Sequence, residues 1–359
     1  MGHQKSPKYF YLRQLSAIRK IRRRNEKLRQ HNIRKNQRRI SQLRSQKSTF
    51  NPYFRKIKNF DLNVGTDFSL LETPLSVINI INQIDANKKN ESEIRRIKID
   101  LSHIKRIDIG AITLLLGKVN EMSRFWNVEF WGNRPTEKSC DEFFTSSGFL
   151  DYMKDLSGRK FERRGENYII SIGSDKTLNE KVGKSIKNAM NFMTGDYVHY
   201  PPVFSIVQEM CSNSVEHANE THKNWLFGIT HETNGSAKEI IFTMTDIGKG
   251  ILNTLKRNYG KKIIETMSNK GDDAILRRAF EKQYQSNTED INRNRGLPLI
   301  LDRFEKGYIK QLKVLTNNVF LDFENSDTSK VLNKNLSGTF YYWKLDLNCV
   351  EKWNQLNTR

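Results

Sequence analysis

Residues 238–251 read Lys-Glu-Ile-Ile-Phe-Thr-Met-Thr-Asp-Ile-Gly-Lys-Gly-Ile, and this stretch decides how the second half of the chain is interpreted. Its first eight residues are rich in β-branched and aromatic side chains, which predicts a strand. Asp246 stands at the end of that strand, and Gly248 and Gly250 follow it. Because glycine has no Cβ, another group can approach the backbone closely at both positions. The stretch therefore predicts a strand that ends in a carboxylate and is followed by a glycine-rich turn.

A carboxylate at the end of a strand can accept a hydrogen bond from an exocyclic amine such as that of adenine. Taken alone, the same pattern also fits a structural turn or a calcium loop. Calcium loops carry further alternating acids, and none follow Asp246 here. The structural turn stays open as an alternative.

Upstream, residues 204–218 read Phe-Ser-Ile-Val-Gln-Glu-Met-Cys-Ser-Asn-Ser-Val-Glu-His-Ala, with apolar side chains at helical spacing. Glu209 and Asn213 are four residues apart, which places them on one helix face. A carboxylate there can polarise a water, and an amide oxygen can coordinate Mg²⁺. A polar helix face without chemistry is the alternative.

Downstream, residues 294–300 read Asn-Arg-Gly-Leu-Pro-Leu-Ile and open an apolar stretch. It predicts a helix that starts around Pro298, since proline is favoured near helix starts. The free N–H groups at such a terminus bind phosphate, Gly296 allows close approach, and Arg293 or Arg295 adds positive charge. A structural turn at the glycine is the alternative.

A fourth stretch, Ser337-Gly-Thr-Phe, starts a predicted strand that runs through Leu345. Its first residues are expected to face the same site as the three stretches above. In this order and spacing the chain resembles the GHKL or Bergerat-fold ATPases, which include gyrase B, MutL, heat-shock chaperones and histidine kinases. Within that family, the 204–218 helix is most similar to anti-sigma factor serine kinases. The resemblance covers about half of the chain and implies an ATP-binding α/β sandwich over residues 161–350.

The resemblance also implies a role for each matched residue. Glu209 is the base, either in ATP hydrolysis or in phosphoryl transfer to Ser or Thr of a partner protein, and Asn213 is the Mg²⁺ ligand. The implied nucleotide-binding residues are Asn213, Asp246, Gly248, Gly250, Ile251, Arg295, Gly296, Leu297 and Thr339. The sequence departs from the family at Pro298, where another glycine is common, and in the long charged segment 252–293. Turnover is therefore less firmly implied than binding.

The first half contains a strand–helix–strand pattern. Ile-Lys-Ile-Asp-Leu-Ser at 97–102 alternates as a strand, helix signals follow Asp108, and Val-Glu-Phe-Trp at 128–131 predicts the next strand. This unit resembles the STAS domains of anti-sigma factor antagonists, and the resemblance implies a STAS-like α/β domain over residues 59–160. The serine that is phosphorylated in those antagonists matches Ile109, so a docking or scaffold domain is implied. An unrelated small α/β layer is the alternative.

Positive charge is concentrated at the N-terminus. Residues 1–60 carry 19 Lys or Arg and one acid, and so supply +18 of the net charge of +21. Scattered apolar residues without Pro or Gly between 9 and 46 predict a basic helical or partly disordered arm over residues 1–58. Such a segment favours nucleic acid as a partner, then an anionic membrane surface. A solvated tail and an organelle transit peptide are the alternatives. The candidate nucleic-acid contacts are Arg22, Arg23, Arg24, Arg38 and Arg39.

The remaining features favour a cytoplasmic protein. Its three cysteines are far apart, which favours neither a disulfide framework nor a zinc site, and no apolar run approaches the about 20 residues of a membrane span. Residues 351–359 are predicted to be a tail, and a homodimer stays open. We interpret His217, Cys211 and the aromatic run 341–343 as structural, with base stacking by the aromatics as the alternative.

Overall fold

The computed structural model describes residues 58–88, 94–163, 165–173, 179–217, 224–257, 271–281 and 296–357. By contacts the chain divides into two units, Met1–Lys56 and Ile57–Arg359, and all described residues belong to the second. The predicted arm up to residue 57, with its five candidate arginines, lies outside the described residues. So do Arg293 and Arg295.

The first half is built on a parallel sheet. Its strands are β1 (Lys58–Asn63), β3 (Ile94–Asp100) and β5 (Glu129–Asn133), in the order β1-β3-β5, and the short strands β2 (Asp67–Phe68) and β4 (Arg106–Ile107) pair separately. Its helices are α1 (Pro74–Asp85), α2 (Ile109–Trp126) and α3 (Lys138–Ser146). Because β3 and β5 are parallel and joined through α2, the predicted strand–helix–strand unit is confirmed.

Helix α2 starts at a well-defined cap. The Asp108 carboxylate accepts hydrogen bonds from the backbone N–H of Ala111 at 2.8 Å, from the Ser69 hydroxyl at 2.7 Å and from the Leu71 N–H at 2.9 Å. Burial raises the pKa of Asp108, against the effect of these donors. The next residue, Ile109, is buried. The helix start therefore carries an apolar side chain at the position that the STAS resemblance matches to a phosphorylated serine.

The second half is built on a five-stranded antiparallel sheet. Its strands are β6 (Tyr168–Gly173), β7 (Asn224–Asn234), β8 (Ala237–Asp246), β9 (Lys310–Asp322) and β10 (Lys330–Leu345), in the order β6-β7-β8-β10-β9. Its helices are α4 (Asn179–Thr194), α5 (Pro201–His217), α6 (from residue 251, described to 257), α7 (Asp272–Phe280), α8 (Gly296–Glu305) and α9 (Leu347–Asn357). The strands and helices that were predicted around the four elements are confirmed. The predicted tail is instead helical as far as Asn357, because Cys349 and Val350 are buried and anchor α9 to the core.

Each face of the larger sheet has its own core. On β8, Ile240, Phe242 and Met244 pack with side chains of α4, α5 and α8. Ile241 points to the other face and packs with side chains of α1 and α2. The sheet is therefore covered by helices on one face and by the first half of the chain on the other. The two regions predicted as domains, 59–160 and 161–350, share a hydrophobic core.

This arrangement explains why α2 is apolar nearly all round. It packs against β7 and β8 of the larger sheet and against β5 of the smaller one. From Ile109 to Met122 its side chains are almost all buried, as expected of a helix enclosed on every side. No helix within the described ranges combines the length and the apolar character that a bilayer span requires.

A buried ion cluster joins α1 to α2. Lys118 is 2% exposed and bonds Asp85 and Glu121 at 2.8 Å each, and Lys88 contacts the same two acids.

A partly buried histidine lies on β7. The His231 ring is edge-on to Phe192, with a distance of 4.6 Å between the ring centres. Burial lowers the pKa of His231, although the charge of Glu166 opposes the shift.

Candidate functional site

Asp246 ends the central strand of the larger sheet. It pairs with Thr339 on β10 and with Trp225 on β7. Since side chains alternate along a strand, Asp246 continues the face of Phe242 and Met244, which is the face covered by helices. Its side chain is half-buried. The structure therefore places a partly accessible carboxylate beside the buried Thr339, under the helical layer.

The glycines around Asp246 accommodate the protein itself. Gly338 has φ +113°, and a Cβ there would lie 2.1 Å from the carbonyl oxygen of Asp246. Gly250 has φ +81°, and its Cβ would lie 2.4 Å from Oδ1 of Asn317. Both positions need the left-handed region, which glycine reaches without strain. At Gly250 the side chain of Asn317 fills the space that a Cβ would take.

Asn317 is a key residue that the sequence analysis missed. Its Oδ1 accepts hydrogen bonds from the N–H groups of Leu252 at 3.1 Å and Asn253 at 3.4 Å, and its Nδ2 donates to the Lys249 carbonyl at 2.9 Å. It adopts φ +52°, a region that asparagine tolerates better than most residues. The available signal was the polar run Thr-Asn-Asn at 316–318 within an otherwise apolar strand.

Thr316 completes the clamp on the glycine-rich turn. Its hydroxyl accepts from the N–H of Ile251 at 2.9 Å, donates to the Gly338 carbonyl at 3.2 Å and lies 3.2 Å from the Thr339 hydroxyl. The first N–H groups of α6 are thus satisfied by Thr316 and Asn317. These N–H groups are not free for a phosphate, unlike the N-terminus of a helix without such caps.

Two helices bring further predicted residues onto the same face of the sheet. Helix α5 carries the half-buried Glu209 and packs against α8. Helix α8 begins at Gly296, slightly before the predicted start at Pro298, and both residues are buried while Leu297 is half-buried. The backbone of Asn213 belongs to α5, but its side chain lies outside the described residues.

The described part of the site contains a carboxylate, Asp246, near the buried hydroxyl of Tyr341. Burial raises the pKa of the Tyr341 hydroxyl, and the nearby charge of Asp246 raises it further. Tyr341 is therefore neutral and close to the carboxylate at physiological pH. Within the described ranges, no group of three or more His, Cys, Asp or Glu side chains is arranged to hold a metal ion. The Mg²⁺ prediction rests on Asn213.

The structural interpretation of the neighbouring residues is confirmed where it can be followed. Cys211 is buried, and burial raises the pKa of its thiol. Tyr341, Tyr342 and Trp343 are at most 5% exposed, and the Trp343 ring stacks on Phe242 at 5.6 Å. These aromatics leave no free face for base stacking. The side chain of His217 lies outside the described residues.

Comparison with known proteins leaves the site to be interpreted from its geometry. No protein-family model matches the chain, and no curated protein matches it significantly.

Proposed function

We propose that the second half of the chain is a Bergerat-type ATP-binding domain of the GHKL class, with the first half as a STAS-like layer built onto its sheet. The observation that carries the proposal is the position of Asp246. It stands at the end of the central strand, paired with Thr339 and covered by the helical layer that contains Glu209. The protein is an ATP-dependent regulator that hydrolyses ATP or transfers its phosphoryl group to Ser or Thr of a partner protein.

The chemistry of the described residues fits adenine. The carboxylate of Asp246 accepts a hydrogen bond from the 6-amino group, and the hydrogen bonds of the Thr316 hydroxyl to Ile251 N–H and the Gly338 carbonyl hold the turn beside it. Guanine presents a carbonyl oxygen at the same place, so two acceptors would face each other. Two acceptors repel each other, so this geometry favours ATP over GTP.

The phosphates belong at the start of α8. The N–H groups of its first turn have no partner within the helix, and the helix dipole favours an anion there. Since α5 packs against α8, the helix with Glu209 and Asn213 is a neighbour of the helix whose first turn would bind the phosphates. Asn213 would hold Mg²⁺, which would neutralise negative charge on the phosphates, and Glu209 would take a proton from the attacking water or hydroxyl.

Calorimetric titration with Mg-ATP and Mg-GTP tests the proposal. The wild-type chain is expected to bind ATP, and to bind GTP at least about tenfold more weakly, the factor expected for one lost hydrogen bond to a charged group. Asn213→Ala should abolish Mg-ATP binding, whereas Asn333→Ala, at an exposed position of β10, serves as the matched control. Unchanged ATP affinity in Asn213→Ala removes the site assignment, and a wild-type chain without ATP affinity removes the proposal.

Incubation with γ-labelled ATP and candidate partner proteins identifies the reaction. Free labelled phosphate indicates hydrolysis, and label on Ser or Thr of a protein indicates phosphoryl transfer. Glu209→Gln should stop both while ATP still binds, because it removes the base and keeps the shape. Full turnover in Glu209→Gln would contradict the role of this residue.

The charge of residues 1–60 favours a second candidate function, nucleic-acid binding with the ATP site as a conformational switch. Lys and Arg that neutralise phosphates release counterions, so the affinity should fall steeply with salt. Deleting residues 1–57, which leaves strand β1 intact, should weaken DNA or RNA binding and flatten its salt dependence. An unaltered affinity and salt slope would exclude the arm as the binding segment.

A further inference from the structure

Helix α2 of the first half lies directly behind the candidate site. It contacts the face of the larger sheet opposite to the one that carries Asp246. The Thr113 hydroxyl lies 3.2 Å from the Thr243 hydroxyl on β8. Gly228 on β7 makes this approach possible, because a Cβ there would lie 2.4 Å from the Thr243 hydroxyl oxygen. Helix and strand are thus in close contact near the centre of the sheet.

One helical turn further on, Gly117 contacts the residues on either side of Asp246. A Cβ at Gly117 would meet Cδ1 of Ile247 at 3.3 Å, Cγ2 of Thr245 at 3.4 Å and Cδ1 of Leu226 at 3.4 Å. Thr245 directly precedes the carboxylate, and Ile247 directly follows it. Helix α2 therefore supports Asp246 from behind through both of its neighbours in the chain.

The N-terminal turn of the same helix supports the other strand of the site. A Cβ at Gly110 would lie 2.9 Å from Cζ of Phe340, the residue after Thr339. Gly110 and Gly117 are seven residues apart, so they share one helix face. That face contacts the neighbours of both Asp246 and Thr339. Because protein interiors are close-packed, a small displacement there is transmitted to the site and not absorbed by free volume.

We propose that α2 is a positioning element of the nucleotide site, and that the contact between Gly117 and Ile247 sets where Asp246 presents its carboxylate. This inference rests on the proposed ATP-binding function. It makes the first half of the chain a determinant of nucleotide affinity, although none of its described residues belongs to the buried core on the pocket side of the sheet. Gly117 and Ile247 act through Asp246 and are positioning residues.

Gly117→Ala is the informative change. Alanine is a better helix former than glycine, which offsets part of the cost of packing the new methyl group against its neighbours. The added methyl group, however, pushes the end of Ile247 by a few tenths of an ångström. We expect the Kd for ATP to rise about fivefold, as is typical for groups in direct contact. Gly183→Ala in α4 is the matched control, since its Cβ would meet only Cε2 of Phe204 at an ordinary 3.7 Å. It should leave the Kd unchanged.

A rescue experiment separates positioning from general disturbance. Valine at 247 lacks the Cδ1 atom, so in an Ile247→Val background Gly117→Ala should change the Kd by less than about twofold. An unchanged Kd in Gly117→Ala, or the same loss in both backgrounds, overturns the inference while ATP binding by the wild type stands. A wild-type chain that does not bind ATP overturns the proposed function together with this inference.

Discussion

The second half of the chain is expected not to fold without the first. Removing residues 1–164 leaves a fragment, 165–359, whose sheet has lost its cover on one face. Nine buried side chains of that fragment lie in the core shared with the first half: Ile169, Leu226, Ile241, Leu315, Phe320, Leu332, Leu336, Phe340 and Tyr342. The fragment would expose them to water.

The size of the effect follows from this set. Burial of a large apolar side chain stabilises by roughly 1.5–3 kcal/mol, so nine represent about 13–27 kcal/mol. Even if only half of this area becomes exposed, the loss is about 7–13 kcal/mol. A typical domain has a total stability of about 5–15 kcal/mol. The loss is therefore comparable to the whole stability of a typical domain.

Thermal unfolding followed by circular dichroism, with dye binding to exposed apolar surface, checks this expectation against the full chain. The fragment should aggregate, or should bind the dye and unfold without a cooperative transition. The reasoning is refuted if the fragment 165–359 unfolds cooperatively at the melting temperature of the full chain and binds no dye. In that case the shared core would contribute nothing to stability.

Three further predictions concern single residues. Gly338→Ala should lower the free energy of unfolding by about 1–3 kcal/mol and also weaken ATP binding, because its Cβ collides with the backbone of Asp246. The control Gly235→Ala, at a position with a positive φ but open space, should change only the stability in urea. Equal ATP affinity in the two variants would contradict the collision. Lys118→Met should lower the free energy of unfolding in urea by about 3 kcal/mol, because the carboxylates of Asp85 and Glu121 lose one of their two positive partners. A loss within the error of the measurement would show that Lys88 alone is enough to neutralise them. Because the pKa of His231 is lowered in the folded chain, the unfolded chain binds a proton at a higher pH, so the contribution of His231 to stability is fully present above about pH 6.5 and is lost as the pH falls below it. His231→Phe should flatten this part of the profile of urea stability against pH. An unchanged slope would assign the pH dependence to other groups.

The sequence predicted those elements whose signals are local. The strand that ends at Asp246 and the helix with Glu209 carry the periodicity of their secondary structure, and both lie where they were expected. Strand β3 and helix α2 were recognised for the same reason. The helix over Leu347–Asn357 was missed because its anchoring residues, such as Cys349, become interpretable only once the core is known.

The sequence did not predict how the elements meet. Asn317 caps α6 from a strand more than sixty positions away, and no local pattern reveals a contact of that range. The shared core was missed for a related reason. The apolar character of α2 around Leu114–Leu116 indicated burial, but not that a second sheet would cover the helix. The contact between Gly250 and Asn317 is of the same kind, because the two residues are far apart in the sequence.

The central claim is that the Asp246 carboxylate recognises the 6-amino group of adenine. Its most direct test compares the Kd of Mg-ATP with that of the purine analogue that lacks this amino group, in the wild type and in Asp246→Ala. The wild type should prefer ATP by about 10- to 150-fold, as expected for a hydrogen bond to a charged group, and the variant should bind both weakly and equally. Equal affinity of the wild type for both nucleotides, or a preference that persists in Asp246→Ala, would contradict the account.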